Sequence, residues 1–262
     1  MKSEEVNKVN EYLKNLNKIE FVVTNACTGK CKHCSQGDHV RTGERIDPLV
    51  AADAVKKISA KYDIKTVLAF GGEPLLCSDA TYAILSAAKE MNVRKIQLIT
   101  NGYFTNNRDK MQEVAARLSE CGVNDLLLSV DAFHQETIPL KTVKAFAKEA
   151  KTAGIPIRLQ PAWLTSPTTI NPYNLKTREI LDSFSDLDIP ESEGNVVFLE
   201  GNARIYLAEY FTDDKPENPY EEDPMDVRCI SFSPNGDVLN GNIYKTDIME
   251  IINNYIPSRR EL

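Results

Sequence analysis

The sequence predicts an α/β protein in which helices cover a parallel β-sheet, and three observations support this fold class. Short apolar runs of strand type recur along the chain, each opened or closed by polar turn residues. Segments with an apolar residue every three or four positions lie between these runs, as amphipathic helices do. In the middle of the chain, successive runs begin roughly thirty residues apart, which is the spacing of βαβ units. The 262 residues suit one large domain or at most two.

The elements follow one another in a regular order. Six runs predict strands, at residues 19–24, 65–70, 95–100, 125–130, 155–160 and 195–200. Amphipathic segments predict helices at residues 48–61, 79–92, 108–121 and 139–153. Gly122 and Gly154 follow two of these helices, and glycine commonly ends a helix. Six units imply a parallel sheet, but their spacing does not decide whether it closes, and a full barrel has eight.

The pattern changes after the sixth predicted strand. Residues 209–226 are acidic and rich in proline, which predicts a long loop. Residues 229–239 predict a β-hairpin that turns at positions 234–237, and residues 246–255 predict a closing amphipathic helix. We therefore expect three parts, which are an N-terminal helix (1–18), a core (19–208) and a C-terminal extension (209–262).

Composition narrows the classes of function. The net charge is -7, so no basic footprint of nucleic-acid binding dominates. There is no apolar run long enough for a membrane span, and the polar N-terminus does not resemble a signal peptide, so we expect a cytoplasmic protein. Six cysteines in such a protein argue against a disulfide framework and favour metal binding or redox chemistry.

Three cysteines stand close together directly after the first predicted strand. Cys27, Cys31 and Cys34 form a C-x3-C-x2-C pattern, at the end of a parallel strand where ligand sites usually lie. Thiolates suit zinc or an iron–sulfur cluster. A zinc site would need a fourth ligand, which His33 or His39 could supply. A [4Fe–4S] cluster held by three thiolates would instead keep one iron open.

A second motif, "GGEP" at 71–74, lies just past the second predicted strand. Together with the cysteine pattern it resembles the radical S-adenosylmethionine (radical SAM) superfamily over about residues 19–205. The resemblance implies a partial (β/α)6 TIM-like barrel and one [4Fe–4S] cluster held by Cys27, Cys31 and Cys34. It also implies that S-adenosylmethionine (AdoMet) binds at the open iron, that one electron cleaves its sulfonium, and that a 5′-deoxyadenosyl radical takes hydrogen from a substrate.

The resemblance also suggests contacts with AdoMet. Gly71 and Gly72 would let the backbone approach AdoMet, and Glu73 would lie near its amino group. The alternative is a plain turn in which Pro74 starts the next helix. His33 stands where the family often has an aromatic residue near adenine.

Further candidates lie at the ends of later strands. Asn101, Ser129 and Asp131 would contact the ribose or the carboxylate of AdoMet in such a family member. Arg158 would meet the AdoMet carboxylate if it faces the barrel interior, and would be a surface charge if it faces outward. His134 is a candidate general acid or base, or else a hydrogen-bonded loop residue.

Two other cysteines raise separate questions. Cys77 is a candidate hydrogen-atom donor to a product radical, or else a small thiol that packs the start of a helix. The region around Cys229 resembles a degenerate SPASM or twitch extension, but Asn240 stands where a further cysteine would follow. One thiolate cannot hold a second cluster, so we expect a single cluster.

Partners are predicted only by class. Lys30, Lys32, Arg41 and Arg45 surround the cysteine loop, opposed by Asp38 and Glu44. They suggest docking of an acidic electron donor of the flavodoxin or ferredoxin type, or else they are solvated surface charges. The expected substrate is a peptide or a small metabolite, and neither a membrane nor a nucleic acid is expected as a partner. The alternative to an enzyme is a non-catalytic zinc- or iron–sulfur-binding module.

Overall fold

A parallel six-stranded sheet forms the centre of the molecule. The computed structural model describes residues 9–37, 44–211 and 218–257. The strand order is β5-β4-β3-β2-β1-β8, and every pair in this sheet is parallel. Its strands are β1 (Lys18–Val22), β2 (Thr66–Phe70), β3 (Lys95–Thr100), β4 (Asp125–Ser129), β5 (Ile157–Gln160) and β8 (Cys229–Phe232). The predicted fold class is confirmed, and the sheet does not close into a barrel.

Helices connect these strands and flank the sheet. They are α1 (Pro48–Lys61), α2 (Ser78–Glu90), α3 (Arg108–Glu120), α4 (Ala132–Gln135), α5 (Leu140–Thr152), α6 (Pro172–Asp182), α7 (Asn202–Tyr206) and α8 (Ile248–Asn253). α1 begins at Pro48 because the Asp47 side chain accepts hydrogen bonds from the second and third N–H groups of the helix. Phe21 of β1 stacks on Phe232 of β8 with 4.5 Å between ring centroids, which joins the two strands in one core.

Alternation along the strands gives the sheet two different faces. The outward side chains, such as Ile19, Phe21 and Leu98, are fully buried under the helices. The inward side chains, such as Glu20 and Gln97, line a cavity instead. The fold therefore has a dry outer layer and a partly polar inner surface.

The predicted sixth strand is wrong in extent and in position. Within 195–200, only β7 (Asn195–Val196) is a strand, and it pairs with β6 (Ala162–Trp163) in a separate two-stranded sheet. The chain turns soon afterwards, at Gly201, whose φ of 52° lies in the left-handed region. The sixth strand of the main sheet is β8, which pairs with β1 from a position 211 residues later in the chain, since Lys18 lies opposite Cys229.

The C-terminal extension contains a short hairpin and the predicted closing helix, but the predicted hairpin at 229–239 with its turn at 234–237 is wrong in position. The hairpin pairs β9 (Asp237–Val238) with β10 (Gly241–Asn242), whereas the run before it joins the main sheet as β8. Within residues 9–18 the structure has one 3-10 turn, Glu11–Leu13, and residues 1–8 lie outside the described ranges. The division into three parts stays a prediction. No helix in the described ranges combines the length and apolar character that a bilayer span requires.

Candidate functional site

A cavity of about 780 Å³ lies on the inner face of the sheet. This volume is in the upper part of the range for small-molecule sites, so the cavity has room for more than a single small ligand. Ten of the predicted site residues line it, namely Cys27, Cys31, His33, Cys34, Gly71, Gly72, Asn101, Ser129, Asp131 and His134. Glu73, Pro74, Cys77 and Arg158 do not.

The cysteine loop contributes three thiols to the lining of the cavity. All six cysteines lie in the described ranges, and none is in a disulfide. The Cys27 sulfur accepts hydrogen bonds from the backbone N–H of Gly29 at 3.3 Å and from the Asn101 amide at 3.5 Å. Burial raises the pKa of the Cys27 thiol to about 11, and it also raises the pKa of Cys31. A metal must therefore displace protons from these thiols when it binds.

The residues at the start of α7 are hydrogen-bonded to the cysteine loop. The backbone N–H of Asn202 donates to the Cys34 carbonyl at 2.9 Å, and its side-chain amide donates to the Cys31 carbonyl at 3.1 Å. A Cβ on Gly201 would lie 2.5 Å from the same Cys34 carbonyl, so only glycine fits there. The sequence does not indicate a role for Asn202, because its partners lie about 170 residues earlier in the chain.

The glycine turn is fastened to the chain segment that precedes Cys27. Gly72 N–H donates to the Thr24 carbonyl at 2.8 Å, and Glu73 N–H donates to the Ala26 carbonyl at 2.8 Å. A Cβ on Gly72 would come within 2.2 Å of the Ala26 oxygen. Glycine is therefore required at position 72 because the protein's own backbone passes so close to it. Gly71 and Gly72 also line the cavity.

Glu73 is buried inside the protein rather than directed into the cavity. The side chain is 0% exposed and accepts hydrogen bonds from the Thr100 hydroxyl at 2.7 Å and from the N–H groups of Leu75 and Asn101. Burial raises the pKa of Glu73 to about 7, although these hydrogen bonds act in the opposite direction. Its carboxylate joins the second and third strand ends, which is a positioning role and differs from the expected contact with an ammonium.

A second buried carboxylate, unlike Glu73, lines the cavity. Asp131 is 0% exposed and accepts hydrogen bonds from the His134 N–H, from the Ala162 N–H at 3.1 Å, and from the ring Nδ1 of His134 at 2.8 Å when that nitrogen is protonated. Burial raises the pKa of Asp131, but the neighbouring His134 outweighs it, so the pKa lies below its usual value. Asp131 therefore orients the His134 ring toward the cavity.

His33 packs between rings at the edge of the cysteine loop. Its centroid lies 4.8 Å from that of Phe133 and 4.8 Å from that of His134. Burial lowers the pKa of His33 to about 4, so the ring is neutral at pH 7. Its Nδ1 is buried without a hydrogen-bond partner. The ligand atoms of Cys31, His33 and His134 lie within 4.8 Å of one another, so a metal ion could also bind this group.

Besides Glu73, the predicted residues Pro74, Cys77 and Arg158 lie away from the cavity wall. Arg158 shares the inner face with Gln160, but its guanidinium donates to Asp125 at 2.7 Å, so the expected contact with the AdoMet carboxylate has no support in this arrangement. Cys77 ends a 3-10 turn that begins at Pro74, and it packs against the main core, which matches the packing alternative. Apart from the loop cysteines, the thiol that faces the cavity is Cys229.

The loop cations are mostly paired with acidic neighbours. Lys32 pairs with Glu136 at 3.1 Å, and Arg45 pairs with Asp79 at 2.6 Å. His39, Arg41 and Asp38 lie outside the described residues. A docking site for an acidic donor at this surface stays a prediction.

Comparison with protein families gives one match that covers most of the chain. The family model described as "Radical SAM superfamily" matches residues 21–201. Similar curated proteins include a probable GTP 3′,8-cyclase of Sulfolobus acidocaldarius, 30% identical over 56% of this chain and 47% of that protein. A GTP 3′,8-cyclase of Aliarcobacter butzleri is 28% identical over 70% of this chain and 55% of that protein. This chain spans about a third to a half of the curated relatives it matches.

Solved structures share the fold at low sequence identity. Streptococcus suis SuiB bound to S-adenosylmethionine superposes with a TM-score of 0.57 at 14% identity, over 91% of this chain and 65% of that chain. The protein anSMEcpe with bound AdoMet gives 0.59 at 14% identity, over 91% and 81%. BtrN in complex with AdoMet and 2-DOIA gives 0.52 at 18% identity, over 91% and 82%. These similarities support the fold described above.

Proposed function

Because the chain belongs to the radical SAM superfamily of enzymes, we propose that Cys27, Cys31 and Cys34 hold a single [4Fe–4S] cluster and that AdoMet binds beside it. When bound, this pair supplies one-electron cleavage of AdoMet to a 5′-deoxyadenosyl radical, which takes a hydrogen atom from the substrate. The observation that carries the proposal is that the three thiols and the glycine turn line the same cavity.

The residues present fit this pair of cofactors. Three soft donors on one loop match the ligands of an iron–sulfur cluster and leave one iron without a protein ligand. The buried Nδ1 of His33 lacks a partner, and it can accept a hydrogen bond from a bound ligand. Ser129 and Asn101 also face the cavity, where their side chains can contact the polar parts of AdoMet.

The residues around the cavity are positioned to orient its ligands. Asn202 and the backbone bonds of Gly72 and Glu73 fix the cysteine loop against the sheet. Asp131 fixes His134, whose ring can hold or transfer a proton at its other nitrogen.

The experiment uses the full chain, reconstituted without oxygen and incubated with dithionite and AdoMet. We expect about four irons per chain, as for one cluster, and formation of 5′-deoxyadenosine, whereas Cys31→Ala should give neither. Colourless protein that retains zinc and forms no 5′-deoxyadenosine would instead support the zinc-binding alternative. Close to eight irons per chain would refute the single cluster.

For the electron donor to the cluster, we propose a class of protein and not a particular one. A member of this superfamily needs an electron source, and we propose an acidic flavodoxin- or ferredoxin-type donor that docks near Lys30 and Lys32. Steering between charged surfaces weakens with ionic strength, so the rate of cluster reduction by such a donor should fall as salt rises. A reduction rate that is insensitive to salt would exclude this mode of docking.

The similar proteins suggest candidate substrates but do not identify one. The curated relatives are named as GTP cyclases, and the solved structures include complexes with a peptide and with 2-DOIA. We propose a small molecule or a peptide as the substrate, held on the inner face of the sheet.

A further inference from the structure

The cavity extends from the cysteine loop to the amino ends of β1 and β8. Lys18 and Glu20 of β1 and Cys229 of β8 line it there, and Lys18 lies opposite Cys229 in the register. Tyr220 and Glu222, from the segment before β8, line the same part. We call these five residues the acidic end. Because AdoMet and the cluster are expected at the loops, the acidic end is the part left for the substrate.

The cavity wall has more carboxylates than cations. Among the lining residues within the described ranges, Lys18 is the one lysine or arginine, whereas the carboxylates are Glu20, Asp131, Glu221 and Glu222. Lys18 is already paired with Glu20 at 2.8 Å. Burial lowers the pKa of Lys18, but the charge and hydrogen bond of Glu20 more than offset this, so the ammonium stays charged and paired.

Glu222 is an exposed carboxylate whose position at the acidic end is fixed by backbone hydrogen bonds. Its Oε2 accepts hydrogen bonds from the backbone N–H groups of Arg228 at 3.0 Å and Cys229 at 3.2 Å. The guanidinium of Arg228 donates to Asp226 at 2.8 Å. A carboxylate has several acceptor sites, so these backbone bonds leave capacity for an ammonium group.

Aromatic rings beside Glu222 favour the same kind of ligand. Tyr220 and Phe198 both line the cavity, and their ring centroids lie 5.8 Å apart. The Tyr220 hydroxyl donates to the Asn195 side chain at 3.1 Å, which fixes the ring. The face of an aromatic ring attracts a cation, as a carboxylate does, although the attraction is weaker.

We infer that the acidic end binds a substrate that carries a primary ammonium group, and that it disfavours nucleoside triphosphates. This inference rests on the proposed function, since it names the substrate class of that same site. Phosphates would face the carboxylates of Glu20 and Glu222 here, with Lys18 already paired with Glu20, and like charges at close range repel each other. The ammonium could come from a small-molecule amine or from a lysine side chain in a peptide.

The test measures binding of matched probes to the full chain loaded with cluster and AdoMet, by equilibrium dialysis without oxygen. Glucosamine, glucose and glucuronate form the small-molecule arm. Capped Gly-Lys-Gly and capped Gly-norleucine-Gly form the peptide arm, and GTP represents the substrate named for the curated relatives. The variants are Glu222→Gln, which keeps an acceptor oxygen for the two backbone N–H groups, and Glu113→Gln as a control on the outer helix α3.

In at least one arm, we expect the ammonium probe to bind about tenfold more tightly than its neutral partner. This preference should be lost in Glu222→Gln and kept in Glu113→Gln. Tighter binding of glucuronate or GTP than of the ammonium probes would overturn the inference. So would equal binding within both arms, no binding by either ammonium probe, or a preference that survives in Glu222→Gln. Formation of 5′-deoxyadenosine by the wild-type protein without probe is measured on the same sample. Its absence would refute the proposed function instead.

Discussion

The two ends of the cavity are built in different ways. At the loop end, backbone hydrogen bonds and buried polar side chains such as Glu73 and Asp131 hold each element in place. At the acidic end, charged side chains stand on strand β1 and on a segment that follows residues outside the described ranges. The loop end falls within residues 21–201, which match the family model, whereas all five residues of the acidic end fall outside that match. If the acidic end selects the substrate as we infer, the chemistry shared with the family and the choice of substrate have separate structural origins.

The largest effect should come from the cluster ligands. In Cys31→Ala we expect 5′-deoxyadenosine formation to fall to background, because a thiolate ligand is lost. Cys77→Ala is the matched control, since Cys77 packs outside the cavity, and it should retain iron and activity. Iron content and product formation are measured together. An equal loss in both variants would remove the distinction between cavity and core cysteines.

A second test concerns the contact between the glycine turn and the cysteine loop. Gly72→Ala would place a Cβ 2.2 Å from the Ala26 oxygen, so the backbone must move, and we expect a loss of about 3 kcal/mol or more in the free energy of unfolding. Gly154→Ala meets open space but has a φ of 75°, and should cost only about 1–2 kcal/mol. Denaturant unfolding of both variants measures the difference, and equal losses would show that the loops are not tightly joined.

The third test uses the buried carboxylate of Glu73. Its folded pKa of about 7 is raised above the ordinary value, so its contribution to stability is complete at low pH and is lost as pH rises through 7. The wild-type free energy of unfolding should therefore fall between about pH 4.5 and pH 7, relative to Glu73→Gln, by at most about 3 kcal/mol. Parallel pH profiles for the two proteins would contradict the burial of an ionisable carboxylate at this point.

The smallest effect is expected at Asn202. Asn202→Ala removes the donor to the Cys31 carbonyl and should cost about 1–2 kcal/mol, together with faster loss of iron to a chelator. Asn218→Ala removes an exposed amide that donates to Glu200, and serves as the control. If iron is lost from the two variants at the same rate, α7 does not support the cysteine loop.

The sequence predicts the loop end better than the acidic end for a physical reason. The C-x3-C-x2-C and GGEP patterns are local, and strands β1 to β5 follow one another with regular helices between them, so their order can be inferred. Strands β1 and β8 are far apart in the chain, so no local pattern indicates that they pair. The short apolar run of β8 also suits one strand of a hairpin. The partners of Asn202 and Arg158 likewise depend on tertiary contacts that no nearby residue indicates.

The central claim is that one iron of the proposed cluster has no protein ligand. Electron paramagnetic resonance tests this claim most directly. The protein is reduced without oxygen, and the spectrum of its cluster is recorded before and after AdoMet is added. The account predicts a change in the signal, because AdoMet would bind the iron that lacks a cysteine ligand. An iron–sulfur signal that AdoMet leaves unchanged, or the absence of any such signal, would contradict it.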